Sequence, residues 1–128
     1  MSAMDAALRG RRLAESLMTS TCRIFTLGTA VTDPDSGAVT YPELDVVESP
    51  CRVRPNGTQA SGSDTGGAEL IASGYVVSVP FAVTARVLQR VRITASPDPS
   101  LVGLSLEVRQ VARGDNITAR RLLCEEVA

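Results

Sequence analysis

Apolar positions in the first eighteen residues recur three to four apart: Met4, Leu8, Leu13, Leu17 and Met18, with Ala7 and Ala14 between them. Arg9, Arg11, Arg12 and Glu15 occupy most of the remaining surface, so the pattern predicts an amphipathic helix over residues 3–18. Ser2 or Asp5 can open it, and Gly10 weakens its middle by about 1 kcal/mol relative to alanine. From Thr19 onward the period changes to two. Thr21–Leu27, Ala38–Val47, Cys51–Arg54, Leu70–Val83, Arg86–Thr94, Leu104–Arg109 and Ile117–Glu126 alternate apolar with polar residues and are rich in Val, Ile and Thr, as strands are. Cys51–Arg54 is either a short strand or the continuation of the one before it. In Arg86–Thr94 the alternation puts Val87, Val91 and Ile93 inward and the arginines outward if the register slips once near Leu88.

Turn residues punctuate these runs. Asp33-Pro34-Asp35-Ser36-Gly37 combines a preset φ at proline, capping carboxylates and a glycine able to take a positive φ. Ser96–Ser100 and Arg113–Asn116 interrupt the alternation in the same way, and Pro42 confines its strand to an edge. Pro55–Gly67 (PNGTQASGSDTGG) has four glycines and no large apolar residue, which makes it the longest flexible stretch. One leading helix and six to seven short strands at roughly ten-residue spacing predict a mainly β domain, a small antiparallel β-barrel. The 128 residues allow a single domain, residues 1–128, in which helix 1–18 precedes barrel 19–128 with its flexible loop 55–67.

Composition then removes whole classes of chemistry. The chain has no histidine, and all 13 basic residues are arginine. Histidine-based triads, histidine-ligated metals and lysine Schiff bases are therefore out of reach. Cys22, Cys51 and Cys124 lie far apart without a C-x-x-C pair, so neither metal nor redox spacing is present, and no cofactor is expected. Asp33 and Asp35 sit in a turn that already explains them, with nothing apolar nearby to raise a carboxyl pKa. The protein is expected to be no enzyme. No apolar run suffices to cross a bilayer, and no membrane partner is expected.

The formal net charge of −1 hides an uneven distribution. Between Arg23 and Arg52 there are only acids, Asp33, Asp35, Glu43, Asp45 and Glu48, whereas Arg86, Arg90 and Arg92 crowd into seven residues. Two such regions on one small body can meet head to tail on neighbouring copies. Asp33, Asp35, Glu43 and Asp45 on one side and Arg86, Arg90 and Arg92 on the other are thus candidate subunit-interface charges.

The series RRLAESLMTSTCRI, VTDPDSGAVTYPE, SPCRVRP, VRITASPDPSLVGLSLEVRQV and ITARRLLCEE resembles the head-closure proteins, or head-to-tail stoppers, of long-tailed phages of actinobacteria, over about residues 11–126. That resemblance implies a homo-oligomeric ring, twelve-fold, beneath the portal and adaptor. The ring would close the DNA channel after packaging, meet the end of the packaged DNA and dock the tail. It also implies a virion location at the head–tail joint after synthesis in the host cytoplasm. In related stoppers a flexible loop projects into the channel. By position, Asn56, Gly57, Thr58, Gln59, Ser61, Gly62, Ser63 and Asp64 are the candidate plug. A tail-completion or tail-terminator protein is the alternative within this class. A small OB-like barrel for single-stranded nucleic acid is the alternative outside it, and would need aromatics on the strand face beside Arg86–Arg92.

Overall fold

The structure, a computed structural model, describes residues 2–56, 74–114 and 117–127. Helix α1 spans Ala3–Ser16. Its first turn is closed by a reciprocal capping box: the Ser2 hydroxyl accepts from the Asp5 backbone N–H at 3.1 Å, and Asp5 accepts from the Ser2 N–H at 3.3 Å. Eight strands follow: β1 (Ser20–Leu27), β2 (Val31–Thr32), β3 (Val39–Thr40), β4 (Glu43–Pro55), β5 (Gly74–Pro80), β6 (Arg90–Ala95), β7 (Ser105–Val111) and β8 (Ala119–Glu126). Six of them close an antiparallel barrel in the order β1-β4-β5-β8-β7-β6, and β2 and β3 form a separate two-stranded hairpin.

Alternation fills the barrel. Cys22 and Ile24, Cys51, Val77 and Val79, Val91 and Ile93, Leu106 and Val108, and Leu122 and Cys124 point inward and pack as one core. These are small and medium side chains, the size that six tightly curled strands can enclose without a void. Three irregularities supply the curvature. The register shifts between β1 and β4 past Ile24, between β1 and β6 past Thr21, and between β7 and β8 past Val108. Each gives one strand an extra residue and sharpens its twist. At the first of them Asp45 adopts φ 52°, a left-handed conformation that aspartate tolerates better than most residues.

The strands differ from the sequence reading in three places. Ala38–Val47 is not one strand: Val39–Thr40 closes the hairpin, the chain turns at Tyr41-Pro42, and β4 then runs unbroken from Glu43 through Cys51–Arg54 to Pro55. Pro55 therefore belongs to the sheet, opposite Tyr75, and not to a loop. The strand expected over Arg86–Thr94 begins only at Arg90. Residues 81–89 instead form an arch, fastened by the buried Gln89. Its side chain accepts from the Arg86 N–H at 2.7 Å and donates to Thr26 Oγ1 at 3.1 Å. The expected slip near Leu88 is a full change of direction, with Leu88 at φ 77° and Val87 facing solvent.

Helix α1 docks through the middle of the expected stripe, with Ala7 and, just past its end, Met18 buried and Ala14 half-buried. The larger side chains at its edges, Met4, Leu8, Leu13 and Leu17, stay in water. Small side chains let the helix come close: a Cβ on Gly10 would lie 2.5 Å from Thr118 Cγ2. Arg11 completes the joint, donating to the Ile117 carbonyl at 3.2 Å with its guanidinium 3.7 Å from the Phe81 ring centre.

Candidate functional site

The seven candidate interface charges separate into two groups. Asp33 and Asp35 sit at the tip of the β2–β3 hairpin, where Asp33 accepts from the Asp35 N–H at 2.9 Å and from Ser36 Oγ at 3.1 Å. Those bonds hold the Asp33 carboxyl below the ordinary carboxylate range. Gly37 closes the turn at φ 75°.

The other five meet partners within the same chain. Glu43 binds Arg92 at 2.6 Å and Arg23 at 3.2 Å, and Arg23 continues to Glu48 at 3.3 Å. The hydrogen bond from Arg92 is the main reason that Glu43 lies below the usual glutamate range. Asp45 faces Arg86 at 3.5 Å, and Arg90 faces Glu107 at 3.6 Å. The acidic and basic stretches thus lie side by side rather than on opposite faces. The barrel brings β4 and β6 to flank β1, which no distance along the chain anticipates. Glu43, Asp45, Arg86, Arg90 and Arg92 are engaged at home, and the two aspartates of the hairpin tip are not.

The aromatic residues give no stacking platform beside Arg86–Arg92. Phe25 is 3% exposed and lies beneath Arg92, 4.9 Å from guanidinium to ring centre. Phe81 is held between Arg11 and Arg120. An open recess of about 1000 Å³ lies under the 81–87 arch and collects Arg86, Arg109, Arg113 and Arg120. Arg109 is already tied to Glu107 and Glu125, at 3.0 and 3.2 Å.

All three cysteines are buried and free. Cys22 is raised far above the ordinary thiol by its hydrogen bond with Cys51 and by burial, and burial alone pushes Cys124 up to about 12. Such thiols are poor nucleophiles. Among the described residues no group of three His, Cys, Asp or Glu could hold a metal ion, and no helix is long and apolar enough to cross a membrane. Of the candidate plug, Asn56 directly follows β4 and its N–H donates to the Gly74 carbonyl at 3.0 Å. Gly57, Thr58, Gln59, Ser61, Gly62, Ser63 and Asp64 lie outside the described residues.

Two surfaces have no partner among the described residues. Every residue from Thr29 to Pro42 is exposed, so the hairpin stands clear of the barrel, tied at its base by the Gly28 N–H to the Pro42 carbonyl at 2.7 Å. It presents Val31, Val39 and Tyr41 to solvent, and Leu44, Val46 and Val47 of β4 are exposed as well. The second surface is a cleft of about 270 Å³ between α1 and the barrel, lined by Leu13 and Leu17 on the helix and by Arg52, Arg54, Ser78 and Arg121 on the strands. Arg52, Ser78 and Arg121 share one row across β4, β5 and β8. None of the three arginines has an acidic partner among the described residues. The alternation of Arg52 and Arg54 in SPCRVRP signals a shared face, but Arg121 joins them only through the sheet register.

Residues 10–125 match a family described as of unknown function, DUF6093. The chain belongs to that family. None of the curated proteins matches this DUF6093 chain. Its fold is similar to the solution structure of protein SF1141 from Shigella flexneri 2a, with a TM-score of 0.52 at 18% identity, over 87% of this chain and 94% of that one. At that identity the likeness concerns the fold alone.

Proposed function

We propose that this DUF6093 protein is a structural subunit of the head-to-tail joint of a long-tailed phage. Copies of it form a ring under the portal and adaptor, close the channel on the packaged DNA and receive the tail. The observation that carries the assembly part of this reading is the hairpin. An arm exposed along its whole length, with Val31, Val39 and Tyr41 in water, stabilises nothing in its own chain. Apolar side chains held in water on a projecting arm mark a site of contact with another protein. The resemblance of the sequence to the head-closure proteins supplies the place of assembly. The buried thiols and the absence of histidine fit a protein that acts by binding rather than by catalysis.

Electron microscopy of a lysate from phage lacking this gene tests the proposal. DNA-free or leaking heads beside free, complete tails are the expected result. Full heads beside tails of abnormal length would move the protein to the tail end as a completion or terminator protein. Normal joined particles would overturn the virion reading.

A further inference from the structure

We infer that the β2–β3 hairpin of one copy seats in the α1 cleft of the next, joining identical subunits head to tail. The inference rests on the assembly reading above and names the two surfaces that carry it. They match in chemistry. Each face of the hairpin carries one valine beside one threonine, Val39 with Thr32 and Val31 with Thr40, and its tip is acidic, with Asp33 and Asp35 and no basic residue anywhere between Arg23 and Arg52. The cleft has an apolar wall, Leu13 and Leu17, and a basic wall, Arg52, Arg54 and Arg121, whose charges meet no acid among the described residues. Its volume of about 270 Å³ takes in side chains of the size of Val31 and Val39.

The hairpin does not reach the cleft of its own chain. The hairpin leaves the barrel at the Glu43 end of β4, and the cleft lies at the Arg52–Pro55 end, roughly 30 Å away along the strand at the usual rise per residue. The two surfaces also differ, so their union is heterologous and propagates from copy to copy into a ring or a filament. Burying Leu13, Leu17, Val39 and Tyr41 together removes apolar surface that each copy alone leaves in water. Setting Asp33 and Asp35 against the free arginines fixes the orientation and steers the encounter.

Cysteine cross-linking tests the pairing directly, because all three native thiols are buried. Val39→Cys and Leu13→Cys change residues that are 54% and 65% exposed, so neither disturbs the core. The two single variants of the full chain, carrying different tags, are mixed under mild oxidation and run on a non-reducing gel. A mixed disulfide at roughly tenfold excess over either like-with-like dimer is expected, together with a loss of that excess when Asp33→Arg and Asp35→Arg are added to the Val39→Cys chain. Mixed and like dimers in statistical proportion, or no disulfide at all, would overturn the inference. The outcome is separable from that of the lysate experiment. A mixed disulfide with normal particles would keep the interface and remove the phage joint, and leaking heads without the disulfide would do the reverse.

Discussion

Replacing Gly10 by alanine should have opposite effects depending on one methyl group of Thr118. In an exposed helix the change stabilises by about 1 kcal/mol, because alanine loses less backbone entropy than glycine. Here the new Cβ would come within 2.5 Å of Thr118 Cγ2, where ordinary contact begins near 3.4 Å, so one group must move by most of an ångström. Neither has much freedom. Thr118 is β-branched and immediately precedes β8, and α1 is tethered by the bond from Arg11 to the Ile117 carbonyl. Overpacking of this kind costs about 1–3 kcal/mol, which outweighs the helical gain and leaves Gly10→Ala destabilising by about 1 kcal/mol. In a Thr118→Ala background the clash disappears, and the same change should stabilise by up to about 1 kcal/mol. The coupling between the two positions is then about 2 kcal/mol, measurable by urea unfolding followed by far-ultraviolet circular dichroism on all four members of the cycle. Equal stabilisation by alanine in both backgrounds would refute the docking of α1 on β8 through Gly10.

Three further outcomes are expected. Leu106→Ala, at a fully buried position, should cost about 2–5 kcal/mol in the same unfolding assay. Leu88→Gly should stabilise by about 0.5–1 kcal/mol, since Leu88 holds φ 77° with a side chain 63% exposed and therefore pays for its left-handed backbone with little packing in return. Glu43 is depressed below its ordinary value near 4.5 by the hydrogen bond from Arg92, so its contribution is present above that value and lost as pH falls through the depressed one. Glu43→Gln should accordingly lower stability at neutral pH by no more than about 1 kcal/mol and flatten the loss seen between about pH 6 and about pH 3, read from urea midpoints across that range.

The elements with strong local signals were legible without a structure. The turn at Asp33–Gly37 forms as its proline, aspartates and glycine demand, because its bonds close within five residues. Alternation identified Val91 and Ile93 of β6 as inward for a similar reason, since a strand in a closed barrel has one side that water cannot reach, whereas Val87, read as inward with them, is exposed. The helix was legible in part. Its stripe held the residues that dock, but its largest apolar side chains stay in water, because a helix lying against a barrel wall gains from close approach, and Ala7 and Gly10 permit it where leucines would hold it away. Gly10, which weakens the isolated helix, is the residue that lets it dock.

The candidate surface divides along the same line. Sequence alone established a mainly β chain without histidine or lysine, its turns, and the run of acids between Arg23 and Arg52. Only the tertiary structure decided which charges were free. Setting β1 between β4 and β6 placed Glu43 on Arg92, and the turn of the chain at Leu88 aimed Arg86 at Asp45, so most of the expected interface charges neutralise one another. Register across β4, β5 and β8 gathered Arg52 and Arg121, far apart in the chain, into a cleft where no acid among the described residues meets them. Charge along a chain is a one-dimensional pattern, whereas Coulomb energy depends on distance in space. For residues brought together by strand pairing, that distance is set by the sheet and not by the intervening sequence.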